Sequence, residues 1–332
     1  MRAVQVTEFG GPEVLTEVEI PAPLAGPGEV VIDVDVADVM FLDARLRAGW
    51  GRDYFPLTLP YVPGGAVGGT VASAGAGVDA SWIGKRVVTR TAASGIGGGQ
   101  PIGGYAEQAL AAADGLTEIP PALSTAHAVA LAHDGRTALA VFDRAGLKPG
   151  NTVLITAAAG GLGTLLIQLS KLAGATVIAA ARGPEKLALA TRLGADHVVD
   201  YSVEGWSDRA RALTGGVDVV FDGAGGELGA TALEVAADRA VFLGYGSAAG
   251  DFAHVATVNR PGVTILTLFD VTHDPAIDWS ALADRALTAA AAGEIEIVVG
   301  QTFSFGDAAA AHAAIESRAT LGRTLLTRDV TM

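Results

Sequence analysis

Ala158, Gly160 and Gly163 stand in the run NTVLITAAAGGLG, after an apolar strand-like stretch and before the helical pattern TLLIQLSKLAGA. This is the spacing of a G-x-G-x-x-G loop with alanine in the first place. Each position has a mechanical reason: a small first residue makes the tight turn, Gly160 lets backbone N–H groups approach a diphosphate, and Gly163 lets helix and strand pack closely. With Gly161 and Leu162 between them, the N–H groups of a helix N-terminus face the anion. A plain turn is the competing reading. The strand before, the helix after and a second strand, TVIAAA, at the right distance favour a dinucleotide. In a unit that takes NADH, an acidic residue near the end of that second strand holds the ribose 2′-hydroxyl. Arg182-Gly183-Pro184-Glu185-Lys186 stands there instead. A guanidinium makes a forked contact to a 2′-phosphate, with Lys186 as a second cation, so the expected cofactor is NADPH. The alternative is that Arg182 is a solvated loop residue paired with Glu185.

The elements that position these residues follow from periodicity. From about Thr125 onward, helical patterns alternate with apolar strands at 152–157, 176–181, 217–221, 239–244 and 263–268. Strands apolar on both faces and separated by helices imply a parallel sheet covered on two sides, a doubly wound α/β domain. The first third, to about Pro121, has short β-type runs at 3–6, 29–36, 70–73 and 86–89, set between Pro/Gly turns such as PAPLAGPGEV and YVPGGAVGG. It reads as a barrel-like β domain. After Asp270 come a helix at 279–292, a strand-like stretch at 296–303, a helix at 306–317 and a strand at 323–327. These are too few to fold alone and are expected to complete the first domain. The expected division is 1–122 with 272–332, against 123–271. The glycine-rich run 94–104 reads as a loop.

Composition bounds the rest. The chain has 332 residues, about two domains' worth, and half of them are hydrophobic. Asp and Glu number 36 against 22 Lys and Arg, and the net charge of −14 opposes nucleic-acid binding. There is no cysteine, which excludes disulfides, thiolate zinc sites, iron–sulfur clusters and a cysteine nucleophile. No stretch of about 18 apolar residues runs without interruption and the N-terminus lacks an apolar core, so a cytoplasmic protein away from membranes is expected. His127 and His133 are six apart, which does not put two ligands on one helix face. No metal is expected.

The runs ITAAAGGLGTLLIQLSKLAGA, GPEKLALATRLGADHVVDY and GVDVVFDGAGG resemble the zinc-independent quinone oxidoreductase branch of the medium-chain dehydrogenase/reductase superfamily, and the likeness extends from GGPEVL to SRATLGRTLL. The resemblance implies a GroES-like β domain, a Rossmann domain, NADPH in the cleft between them, and a homodimer formed by edge pairing of Rossmann sheets, which would suit 263–268. It puts Thr137 near the nicotinamide and Tyr201 beside Arg182 and Lys186 at the 2′-phosphate. Gly223–Gly226 and Leu243–Ser247, with Gly225, Gly244 and Ser247 among them, line ribose and nicotinamide. Leu268 and Phe269 match a strand-end pair beside the carboxamide, and Arg318, Gly322 and Arg323 a C-terminal cofactor contact in which lysine is commoner than Arg323.

Departures bear on substrate. Met40 stands where the family segment V-N-x-x-D carries asparagine, while Asp43 is retained and is, with Tyr54, a candidate catalytic residue. The loop GWGRDYFPLTLP is longer and more aromatic than usual, bringing Trp50, Tyr54 and Phe55 forward as substrate-side residues. Hydride transfer needs an oriented nicotinamide in a water-poor site, and reducing a quinone or a conjugated C=C puts charge on an oxygen that a donor stabilises. Tyr54 is the candidate donor, with an aromatic wall as its other reading. The expected activity is NADPH-dependent reduction of quinones or α,β-unsaturated carbonyl compounds. A dedicated enoyl or ketone reductase for one bulky metabolite, a non-catalytic NADPH-binding protein and a methyltransferase on the same glycine-loop architecture are the alternatives.

Overall fold

The computed structural model describes residues 1–53, 57–91, 102–258 and 260–328. The chain divides into two compact units: Met1–His133, Ala283–Ala291 and Val298–Met332 form the first, Asp134–Leu282 and Ala292–Ile297 the second. The first boundary falls at His133, later in the chain than residue 122. The cause is α2 (Thr125–Leu131), which buries Ala128, Val129, Ala130 and Leu131 against strands of the first unit. Its start is fixed by the Ser124 hydroxyl, which accepts from the His127 N–H at 3.1 Å.

The first unit begins with the hairpin of β1 (Arg2–Val6) and β2 (Leu15–Glu19). β3 (Glu29–Val39), α1 (Phe41–Arg47), β4 (Ala66–Ala74), β5 (Arg86–Arg90), β6 (Gln108–Ala112) and β7 (Thr117–Glu118) follow. Late in the chain come β14 (Val299–Ser304), α10 (Ala308–Glu316) and β15 (Arg323–Thr327). The sheet order is β14-β15-β3-β4-β5-β7, with β6 also on β3, so the latest strands sit beside one of the earliest.

The second unit contains α3 (Asp134–Ala145), β8 (Thr152–Thr156), α4 (Gly161–Leu172), β9 (Thr176–Ala181), α5 (Pro184–Arg192) and β10 (His197–Asp200). α6 (Trp206–Thr214), β11 (Val217–Asp222), α7 (Gly226–Val235), β12 (Ala236–Gly244), β13 (Thr264–Thr267) and α8 (Leu268–Thr272) complete its alternation, and α9 (Trp279–Ala291) follows. The strands pair in parallel in the order β10-β9-β8-β11-β12-β13. Val153, Leu154, Ile155, Val177 and Ile178 are all fully buried, as strands covered on both faces must be. This order reverses between β8 and β11, and ligands of such sheets bind beyond the carboxyl ends of the strands at that point. Among the described residues no helix is long and apolar enough to cross a membrane.

A buried polar cluster ties α1 and α10 into the first unit. Arg47, 1% exposed, is ion-paired with Glu316, and the Tyr105 hydroxyl is 3.0 Å from His312 Nε2. Asp43 Oδ2 accepts from the Met40 N–H at 2.8 Å and fixes the first turn of α1. Burial first, against the opposing pull of the Met40 amide and Arg323, pushes the Asp43 carboxyl up to about 6. Burial, then Arg47, pushes His312 down to about 3.

These two shifts act on stability with opposite signs. Between its ordinary 3.8 and about 6, Asp43 is protonated in the folded chain and ionised in the unfolded one, so stability falls as pH rises. Between about 3 and its ordinary 6.5, His312 is neutral when folded and protonated when unfolded, so stability rises with pH. Each slope approaches about 1.4 kcal/mol per pH unit in its window. Asp43→Asn is therefore expected to unmask the histidine: between about pH 4 and 6 its urea midpoint should climb with pH more steeply than that of the unaltered protein. Parallel curves would show that the Asp43 carboxyl does not titrate as described.

Candidate cofactor and active site

β8 delivers the glycine loop to the point where the strand order reverses. Ala157, directly after it, is held left-handed at φ 49°, a conformation that costs a residue bearing a Cβ on the order of 1 kcal/mol. The buried Ala158 donates its N–H to Ala180 O at 3.2 Å, which joins the turn to β9. Gly160 caps α4, and the helix starts at Gly161 and Leu162. The first N–H groups of a helix have no acceptor within it, so this turn presents donors. A Cβ on Gly163 would lie 2.7 Å from Ala157 O and 2.8 Å from the Ala158 backbone, so only glycine lets α4 approach its own turn this closely.

At the end of β9, Arg182 is exposed. Gly183, at φ 80°, caps α5 with Pro184 in its first turn, and Lys186 follows half-buried. Asp200, the last residue of β10, accepts from the Gly183 N–H at 3.0 Å and from the Ser202 hydroxyl at 2.5 Å. The Ser202 hydroxyl above all, then backbone amides and Arg182, hold its carboxyl below the usual range. The Tyr201 N–H reaches Ala181 O at 3.2 Å, and its ring meets Trp206 edge-on at 6.4 Å. Arg182, Lys186 and Tyr201 thus come from adjacent strand ends, β9 and β10, together with the first turn of α5. Such a cluster of cations beside a helix start suits a phosphate dianion.

Two further loops adjoin the reversal point. The loop after β11 and the loop after β12 are bonded to each other: Tyr245 N–H to Asp222 O at 2.8 Å, Ala249 N–H to Ala224 O at 2.6 Å, and Gly226 N–H to Asp251 O at 2.9 Å. Gly225 is buried in the first loop, Gly244 closes β12, and Ser247 is half-buried in the second. Thr137 lies in the first turn of α3. Leu268 and Phe269 open α8 rather than ending a strand, because Asp270 accepts from the Thr267 N–H and stops β13 there. Phe269 is 51% exposed and has Phe252 and His273 each 5.8 Å away, centroid to centroid.

The remaining candidates lie in the first unit. Met40 is half-buried at the entry to α1, and the Arg45 guanidinium covers the Trp50 ring at 4.6 Å. Arg318 is left-handed at φ 58°, and Gly322 precedes β15. Arg323 is ion-paired with the fully buried Asp38, its Nε donating to Oδ1 at 3.1 Å. Tyr54, Phe55 and most of the 94–104 loop lie outside the described residues. A cavity of ≈ 330 Å³ in this unit, beside Ile20, Pro60, Tyr61 and Leu110, is lined by none of the candidate cofactor, catalytic or substrate residues. Among the described residues, no group of three or more His, Cys, Asp and Glu side chains is placed to hold a metal ion. Sequence reasoning missed Thr156 and Asp222, which meet across the reversal point. The signal available was an apolar strand, VDVVF, ending in an acid before four small residues.

Comparisons with known proteins bear on the family, the fold and the cofactor. A family model described as alcohol dehydrogenase GroES-like domain matches residues 26–121, and one described as zinc-binding dehydrogenase matches 161–286. The chain is 32% identical to a 2-haloacrylate reductase of Burkholderia sp, over 98% of each chain. It is 31% identical to a quinone oxidoreductase of Pseudomonas aeruginosa, over 98% of this chain and 99% of that one. Among solved structures, a mycobacterial protein in complex with NADPH superposes with a TM-score of 0.87 at 32% identity, over 98% of this chain and all of that one. Escherichia coli quinone oxidoreductase complexed with NADPH gives 0.86 at 27% identity, with the same coverage.

Proposed function

Because this chain belongs to the quinone oxidoreductase branch of the medium-chain dehydrogenase/reductase superfamily and is an NADPH-dependent oxidoreductase, we propose that it reduces quinones or α,β-unsaturated carbonyl compounds and needs no metal to do so. The observation that carries the reading is the turn at Ala157–Gly163, where the space a Cβ would need is filled by backbone and the helix N-terminus is left open to an anion. The 2-haloacrylate reductase likeness favours conjugated C=C bonds as one substrate class.

Ala158, Gly160, Gly161, Leu162 and Gly163 would hold the diphosphate, and Arg182, Lys186 and Tyr201 the 2′-phosphate. Thr137, Gly225, Gly244, Ser247, Leu268 and Phe269 would meet the nicotinamide half. Arg318 and Gly322 would add a C-terminal contact, whereas Arg323, whose guanidinium already faces Asp38, is left out. NADPH, when bound, supplies the hydride. The work left to the protein is orientation, exclusion of water and one proton for the product. Tyr54 is the proposed proton donor; Asp43 holds the Met40 amide at the start of α1. A metal-free mechanism is supported by the absence of cysteine, the ligand that would hold catalytic zinc in the metal-dependent relatives of this architecture. We extend the reading to a cytoplasmic homodimer paired through β13, an edge strand whose Ile265 is 40% exposed.

The test follows NADPH absorbance against a panel of small quinones, enals, enones and bulky enones, with and without EDTA. Turnover of small quinones or enones, unchanged by the chelator, is the expected result. Turnover of bulky enones alone would favour a dedicated tailoring reductase. Loss of activity with EDTA and recovery with zinc would overturn the metal-free mechanism, and silence across the panel with NADPH still bound would favour a binding protein. Light scattering on the same sample should give the mass of two chains.

A further inference from the structure

The loops after β11 and β12 are held from beneath by one buried hydrogen-bond knot. Thr156 ends β8 and Asp222 ends β11, the two strands between which the sheet order reverses. Both are fully buried. The Thr156 hydroxyl donates to Asp222 Oδ1 at 2.5 Å and accepts from the Gly223 N–H at 3.0 Å and the Ala224 N–H at 3.1 Å. One donor and two acceptor sites are the full capacity of a hydroxyl. Asp222 Oδ1 also accepts from Ala224 at 3.1 Å and Gly225 at 3.2 Å, and Oδ2 from Gly225 at 3.2 Å. Every partner of the carboxylate is therefore a donor. The arrangement leaves no space for substitution: a Cβ on Gly229 of α7 would lie 2.3 Å from Asp222 Oδ2.

The bonding continues outward. The Asp222 carbonyl accepts from Tyr245 and Gly246, and the Tyr245 hydroxyl reaches back to Thr156 O at 3.3 Å. The knot thus ties both loops to the ends of β8 and β11, with three successive N–H groups, those of Gly223, Ala224 and Gly225, turned onto the two buried side chains. We infer that Asp222 and Thr156 are positioning residues that hold these two loops in the form that receives the nicotinamide ribose. Thr156 directly precedes the glycine turn, but the hydrogen bonds of both side chains run to the loop after β11 and not to that turn or the 2′-phosphate cluster. The inference rests on the proposed NADPH contacts.

Thr156→Val keeps the shape of the side chain and removes its hydroxyl, taking from the Gly223 amide its acceptor and from Asp222 Oδ1 its nearest donor in a buried site. Asp222→Asn is the second variant and Thr156→Ser the conservative one. NADPH and adenosine 2′,5′-bisphosphate, which lacks the nicotinamide half, serve as probes in calorimetric titrations. The expected result is a rise of at least about tenfold in the NADPH dissociation constant for Thr156→Val and Asp222→Asn, near-normal binding with Thr156→Ser, and a bisphosphate constant within about twofold throughout. Equal loss of both probes would mean a general loosening of the fold and would overturn the inference, as would unchanged NADPH binding. Amide exchange in the unaltered protein provides a check that needs no variant: Gly223, Ala224 and Gly225 should exchange slowly without cofactor, and fast exchange there would also overturn it. If neither probe binds the unaltered protein, it is the proposed cofactor contacts that fail, while slow exchange would still locate the knot.

Discussion

Gly163→Ala is expected to destabilise the folded chain by about 1–3 kcal/mol, the usual cost of forcing a methyl into a filled site, and to weaken NADPH binding by more than about tenfold. The groups in the way are Ala157 O and the Ala158 backbone, at 2.7 and 2.8 Å, and none of them can swing aside as a side-chain tip would. Relief requires α4 to retreat from the end of β8 or the turn to open, and either motion displaces the N–H groups that meet the diphosphate. Gly160→Ala is the informative companion. Its Cβ would meet Ala157 O at 3.3 Å, a looser contact, so it should lower the urea midpoint less than Gly163→Ala does. It should still weaken NADPH binding, because a methyl would stand where the diphosphate approaches. A Gly163→Ala protein with the original midpoint would remove the packing argument.

Arg182→Ala should raise the Michaelis constant for NADPH by more than about tenfold, or about 1.4 kcal/mol, and leave that for NADH nearly the same. The difference arises because the 2′-phosphate is the only group present in one cofactor and missing from the other. Arg182 is exposed, so its attraction is screened, and the advantage of NADPH over NADH should shrink as salt rises. Asp200 is the tuning element: it accepts from the Gly183 amide and so holds the backbone next to Arg182 in place. Equal losses with both cofactors would remove the specificity argument.

The strands and helices around the turn are legible because their periodicity is local. TVIAAA is β9 residue for residue, and the last strand is Arg323–Thr327 in both readings. β12 begins at Ala236, earlier than 239, because Asp238 and Arg239 interrupt the apolar run while the backbone continues as strand. What local pattern cannot carry is pairing across long stretches of sequence. Thr156 and Asp222 are 66 residues apart and Arg47 and Glu316 are 269 apart, and nothing in the neighbourhood of either residue names its partner. The pairing of Arg323 with Asp38, 285 residues away in the chain, is out of reach of local pattern for the same reason.

The place of β15 between β14 and β3 has a consequence for the order in which the chain acquires its structure. The parallel sheet has its last strand once Thr267 has been synthesised, but the sheet begun at Glu29 stays open along β3 until Thr327 has been added. On the ribosome, the half of the protein made first is therefore the half finished last, and the nucleotide-binding half can mature while its elder neighbour still waits for a strand.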